Sequence, residues 1–185
     1  MAKRQDEFER IAMPHARSML RVARRLAADP ALAEDLVQES LLLAWRGFDR
    51  FRAGTNARAW LFRILFNAFY SRGRKMRAAP VTVPLDSESE EAASASQAQA
   101  SLLDAAALSR ALEQLSVEHR AVLLLGVVEG FTCREMAEIL EVPIGTVASR
   151  LNRARQALSA RLGQAPPPNL SNSRPATQCT QEESA

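Results

Sequence analysis

The chain has 185 residues, enough for one domain or two small ones. Hydrophobic residues make up 47% and charged residues 24%, an ordinary balance for a globular protein. Seven glycines and 5% aromatic residues speak against an all-β sandwich with many tight turns, and the dominant Ala, Leu, Arg and Glu favour helix. The net charge is only +3, yet the sequence pI is about 9.4. Of 24 basic residues only Lys3 and Lys75 are lysine; arginine is the better forked partner for phosphates and base edges. Two cysteines (Cys133 and Cys179) and two histidines (His15 and His119) are too few for a disulfide framework or a self-contained zinc site, and no cofactor is expected. The first residues lack the apolar core of a signal peptide, and the longest apolar runs, such as 121–128, are too short to cross a bilayer. A cytoplasmic, reduced protein without membrane insertion is expected. With no Gly-rich phosphate loop, metal cluster or nucleophile–base pair, an enzyme is not.

Charge divides the chain into four parts. Residues 1–78 carry 16 Lys+Arg against 8 Asp+Glu. Residues 79–106 carry five acids and no base. Residues 107–163 are nearly balanced but segregated: every acid precedes Val142, while Arg150, Arg153, Arg155 and Arg161 follow it. Residues 164–185 are rich in Pro, Ser, Asn and Gln. The second and fourth parts lack the apolar periodicity that builds a core. The expected fold is all-α: two small helical domains, 1–78 and 107–163, joined by a flexible acidic linker, 79–106, and followed by a disordered tail, 164–185.

The first domain reads as three or four helices. Ala16, Leu20, Ala23 and Ala27 recur at helical spacing, with Pro14 starting or kinking that helix. A second helix is expected over 31–48, with Ala33, Leu36, Val37, Leu41, Ala44 and Phe48 inward. Its other face carries Asp35, Gln38, Glu39 and Leu42. Such a face is ordinarily the solvent side of a helix, although Leu42 within it suits a partner surface; pattern alone leaves both readings open. A loop over Phe51–Asn56, with Gly54 as its flexible point and Thr55 or Asn56 as cap, leads to a helix over 57–75. There Ala57, Leu61, Ile64, Leu65 and Ala68 form a core stripe, and Trp60, Arg63, Asn67, Tyr70 and Arg74 form another face. Rings interleaved with arginines suit unpaired nucleic acid: the rings stack on bases and the guanidiniums hold phosphates. Taken singly, Trp60 reads better as a residue half-buried between helices; the whole face, followed by further basic residues, reads better as a nucleic-acid surface.

In the second domain Leu108, Ala111, Leu112 and Leu115 mark one helix. Ser116 caps the next, which ends at Gly130. Thr132-Cys133-Arg134-Glu135 is a capping box opening a short helix to about Leu140. The connection Glu141-Val142-Pro143 follows, with Pro143 suited to the first helical position. The last helix places Ile144, Val147, Leu151, Ala154 and Leu158 on one stripe. Thr146, Ser149, Asn152 and Arg153 lie opposite, with Arg150 at the flank. This is a helix-turn-helix pattern whose second helix fits a major groove. The clustered arginines and missing acids after Val142 favour that over a plain helical hairpin.

Three blocks carry a resemblance: AEDLVQESLLLAW (33–45), FRAGTNARAWLFRILFNAFYSRGRK (51–75) and LEQLSVEHRAVLLLGVVEGFTCREMAEILEVPIGTVASRLNRAR (112–155). In this order they resemble a bacterial sigma factor of the extracytoplasmic-function (ECF) class, within the sigma-70 family, and span both expected domains. No further N-terminal or middle domain is expected. The resemblance implies a docking segment for core RNA polymerase at Asp35, Leu36, Gln38, Glu39 and Leu42. It implies capture of an extruded base of the melted −10 promoter element by Phe51, Arg52, Gly54, Thr55, Asn56 and Asn67, with Trp60, Arg63, Tyr70 and Arg74 on the same surface holding the strand. It implies duplex −35 reading by Thr146, Ser149, Arg150, Asn152 and Arg153. It also implies an anti-sigma factor as partner, and an acidic linker running through the polymerase near the RNA path. The function expected is to direct transcription initiation of a stress- or signal-responsive regulon. Two alternatives are a free-standing helix-turn-helix regulator, which leaves the first domain unexplained, and a sigma mimic that occupies an inhibitor, which the intact base-contact residues argue against.

Overall fold

The computed structural model describes residues 2–27, 29–52, 54–78 and 107–162, and all regular structure among them is helical. The expected linker 79–106 and tail 164–185, with Cys179, lie outside the described residues. Helix α1 (Ala2–Leu26) runs unbroken through Pro14, where sequence alone predicts a start or a kink. The buried stripe of α1 is Phe8, Ala12, Met19, Val22, Ala23 and Leu26. The expected Ala16, Leu20 and Ala27 are only half-buried, because the longer side chains of Met19, Val22 and Leu26 fill more of the interhelical space. Asp29 caps α2 (Pro30–Gly47) by accepting from the Ala31 N–H at 2.8 Å, with Pro30 in the first turn, where its missing N–H costs nothing. A single 3-10 turn, Phe48–Arg50, closes the helix. Arg4 of α1 ties down this corner, pairing with Asp49 at 2.9 Å and lying 4.4 Å over the Trp45 ring.

Helix α3 (Ala57–Ala78) lies against both α1 and α2. It buries Leu61 and Leu65 as expected, together with Phe62 and Phe66, which widens the predicted stripe to cover two neighbours.

A helical segment, 107–113 (α4), starts the second unit. Ser116 caps α5 (Val117–Leu123), which continues as a π turn over Leu124–Val128. In that turn Glu129 donates its N–H to the Leu124 carbonyl at 3.0 Å. The wide turn inserts an extra residue into the helix, and the chain leaves through Gly130 at φ 69°. Helix α6 (Cys133–Leu140) opens with the full Thr132–Glu135 capping box. Glu141, at φ 55°, makes the turn into α7 (Ile144–Arg161). Pro143 is the cap of α7 rather than its first helical residue; its carbonyl accepts from Thr146 and Val147. Val147 and Ala154 of α7 are buried, whereas Ile144 is 48% exposed and lies off the expected core stripe. Among the described residues no helix is long and apolar enough to cross a membrane.

The two units touch. Helix α6 packs on α3, and the Phe62 and Phe131 rings meet edge to face at 5.2 Å.

Candidate nucleic-acid interface

The loop between α2 and α3 is held by a chain of rings. Phe8 meets Phe48 at 5.3 Å, Phe48 stacks on Phe51 at 6.0 Å, and Phe51 leans on Trp60 at 4.8 Å. The half-buried Trp60 is thereby pinned by the loop that precedes its own helix. Gly54 adopts φ 88°, a left-handed conformation that glycine takes without steric cost. Thr55 donates its hydroxyl to the Arg52 carbonyl at 2.8 Å, tightening the exposed loop. Asn56 is the cap of α3, its Oδ1 accepting from the Ala59 N–H at 3.0 Å. Loop and helix thus present Arg52, Gly54, Thr55 and Asn56 exposed beside Trp60 and Arg63.

Two of these residues are engaged by the helix-turn-helix unit. Asn56 donates to Glu135 at 2.6 Å, and Arg63 pairs with Glu141 at 2.6 Å. Between them lies a cluster that sequence reading missed. The Glu129 side chain, 1% exposed, accepts from Arg58 at 2.5 Å and from Arg21 at 2.8 Å. Arg58 also donates to the Glu129 carbonyl at 2.6 Å and sits 4.3 Å over the Phe131 ring. The available signal was small: Glu129 is a single acid closing an apolar run, and Arg58 sits on α3 outside the expected ring–arginine face.

Asn67, Tyr70 and Arg74, farther along α3, line a cavity of about 360 Å³ closed on the other side by Glu118, Leu140 and Glu141. Burial raises the Tyr70 hydroxyl above the ordinary phenol pKa; negative Glu118 adds to this and Arg150 opposes it. Arg150 of the expected −35 reader therefore lies within electrostatic reach of α3. On α7, Ser149 and Arg153 are exposed, and Thr146, Arg150 and Asn152 are half-buried. Ser149 bends back to donate to the Thr146 carbonyl at 3.0 Å.

The expected polymerase face is also resolved residue by residue. Asp35, Gln38, Glu39 and Leu42 are exposed along α2, with Leu42 at 58%. Leu36 is 1% exposed and packs in the core; its side chain points away from that face and holds α2 in place rather than offering a contact. Arg72 of α3 approaches Asp35 and Glu39 at 4.0 and 3.8 Å. A groove of about 540 Å³ between α1 and α2 runs beside Gln38 and Leu42, with Met13 on its far wall.

Comparison with known proteins converges on one family. Residues 11–78 match the family model described as Sigma-70 region 2, and residues 105–158 match that described as Sigma-70, region 4. The chain is 35% identical over 156 residues to the ECF RNA polymerase sigma factor SigM of Mycobacterium tuberculosis, covering 84% of this chain and 77% of that protein. It is 37% identical over 137 residues to the ECF RNA polymerase sigma factor EcfG of Rhodopseudomonas palustris, covering 74% and 75%. Among solved structures, the sigma factor RpoE of Bartonella quintana, crystallised with the anti-sigma factor NepR, is similar at a TM-score of 0.66 and 32% identity, covering 85% of this chain and 97% of that one. CnrH in complex with the cytosolic domain of CnrY gives 0.64 at 27% identity, covering 86% and 89%. The chain belongs to the sigma-70 family, as a sigma factor of its ECF class.

Proposed function

We propose that this sigma factor delivers core RNA polymerase to promoters through three surfaces. The α2 face formed by Asp35, Gln38, Glu39 and Leu42, with the adjoining α1–α2 groove, docks the polymerase. The loop 51–56 and the Trp60–Arg63–Asn67 face of α3 capture the melted −10 strand. Helix α7 reads the −35 duplex with Thr146, Ser149, Arg150, Asn152 and Arg153. The observation that carries this reading is the joining, in one chain, of a ring-and-arginine face on α3 to a helix-turn-helix unit.

The energetics are consistent with a division of labour. Extruding a base costs a few kcal/mol, and stacking on an aromatic ring returns about 1–3 kcal/mol per base. Trp60, fixed by Phe51, is pre-positioned to offer such a ring. A bidentate arginine on a base edge contributes about 1–3 kcal/mol of discrimination. Tethering makes the second contact intramolecular, so two modest interactions combine into one selective one. The solved relatives held by anti-sigma factors support an anti-sigma partner for this chain as well.

The test is transcription by core polymerase plus this chain on a pool of genomic promoter fragments. Start sites sharing two upstream elements are the expected result. Specific duplex binding without polymerase dependence would refute it and identify a free-standing regulator.

A further inference from the structure

Strand capture needs a loop and a Trp60 ring that keep their places, yet the loop has little of its own to hold it. Among the described residues of 51–56, Arg52, Gly54, Thr55 and Asn56 are exposed, and Phe51 alone packs against the hydrophobic core. The Phe51 ring has two ring neighbours, Trp60 at 4.8 Å and Phe48 at 6.0 Å, the latter nearly parallel at 9°. Phe48 is buried and meets Phe8 of α1 at 5.3 Å; Phe8 in turn meets Trp45 at 5.3 Å. The two tryptophans of the chain thus stand at the ends of one run of rings, Trp45–Phe8–Phe48–Phe51–Trp60. We propose that Phe8 and Phe48 are positioning residues for strand capture: through Phe51 they hold the loop and Trp60 ready for the extruded base, without touching DNA themselves. This rests on the assignment of the loop and Trp60 to the melted strand, and extends it to α1.

The brace starts ahead of the segment shared with the family, because the region 2 match begins at residue 11 and both Arg4 and Phe8 precede it. Arg4 fixes the outer link. Its guanidinium lies 4.4 Å over the Trp45 ring and donates to the Trp45 carbonyl at 3.2 Å and to Asp49 at 3.0 Å. Asp49 follows Phe48 in the 3-10 turn, so the first turns of α1 close over the corner from which the loop departs. The Phe51 N–H donates to the Phe48 carbonyl at 3.0 Å, which ties the loop to the same corner. Ring pairs set an angle as well as a distance, since the ring edge is positive and the face negative. Phe8 meets Phe48 at 82° and Trp45 at 68°, edge to face in both cases. A leucine at either position fills space without this direction. What the run supplies is pre-organisation: a side chain already fixed is not immobilised at the moment of binding, and each is worth about two- to tenfold in affinity. Coupling of this kind needs contiguous packing, and every successive pair of rings here lies within 6.0 Å.

The experiment uses the full chain bound to core polymerase, with polymerase in excess so that changes in docking do not enter. Fluorescence anisotropy measures affinity for a short labelled single strand spanning a −10 element mapped by the transcription assay. Phe48→Leu is expected to weaken capture about fivefold and Phe8→Leu about threefold. Phe48→Tyr, which keeps the ring, is expected to restore most of the affinity. The double leucine variant is expected to bind no worse than Phe48→Leu, because one broken link releases everything beyond it and the two effects do not add. A spectroscopic readout follows the ring itself in the free chain. With Trp45→Phe, Trp60 is the sole tryptophan, and adding either leucine is expected to shift its emission to the red and increase its quenching by acrylamide. Leucine variants that capture the strand as tightly as wild type overturn the positioning role, whatever their melting temperature. A loss with Phe48→Leu but none with Phe8→Leu removes Phe8 from the set. Trp60→Ala separates this proposal from the assignment beneath it. A loss there with none in the leucine variants defeats the brace alone, whereas no loss there defeats the assignment of the α3 face and the brace with it.

Discussion

Thr132→Ala tests the link between local folding and the interface. The Thr132 hydroxyl accepts from the Glu135 N–H at 3.2 Å, and the Glu135 carboxylate returns to the Thr132 N–H at 2.9 Å and to its hydroxyl at 3.0 Å. The same carboxylate accepts from Asn56 at 2.6 Å through its other oxygen. Removing the hydroxyl leaves one of the first N–H groups of α6 without its acceptor and frees the carboxylate to rotate. Loss of such a cap costs about 1 kcal/mol, which in a domain of this size lowers the melting temperature by roughly 4–8 °C. Thr132→Ser retains the hydroxyl and should melt close to wild type. Because the two residues cap reciprocally, Thr132→Ala and Glu135→Ala should be strongly non-additive in a double-mutant cycle. Thermal denaturation followed by circular dichroism is the assay. A melting temperature within 1 °C of wild type for Thr132→Ala, or simple additivity with Glu135→Ala, would refute the reciprocal cap and with it the claim that α6 orients the acid facing Asn56.

Further outcomes follow from other surfaces. Leu42→Asp should weaken binding to core polymerase by tenfold or more without changing the melting temperature, because the side chain is 58% exposed and burying a leucine at an interface contributes about 1.5–3 kcal/mol; Leu36→Ala, in the core, should instead cost about 2–5 kcal/mol of stability, read by denaturant titration. Arg153→Ala should reduce binding to the −35 duplex by about 1–3 kcal/mol and leave single-strand binding unchanged, measured by competition between the two DNAs. Acidification should destabilise the fold partly through His15. Burial, then the positive charge of Arg58, lowers the His15 pKa below 6.5, so the unfolded chain binds the proton more tightly. Stability is then lost as pH falls from about 6.5 toward the lowered folded value. His15→Gln should flatten that part of the stability profile in melts between pH 7.5 and 5.

What sequence reveals and what it hides separate along physical lines. The Thr132–Glu135 box and the Ser116 cap were legible because each depends on residues within one helix turn, and the exposed Asp35–Gln38–Glu39–Leu42 face because it follows the repeat of a single helix over two turns. The stripe of α1 was legible only in part: Ala23 is buried and Leu20 and Ala27 pack against the core, but the larger Phe8, Met19, Val22 and Leu26 fill most of the space between helices. Helical spacing put Leu36 on the inward stripe, where it lies; only the resemblance placed it in the docking segment with Asp35, and the 100° turn per residue separates the two side chains. The π turn was invisible because an i→i+5 bond has no residue signature. The Arg21–Glu129–Arg58 cluster spans more than seventy residues of chain; only tertiary packing brings it together.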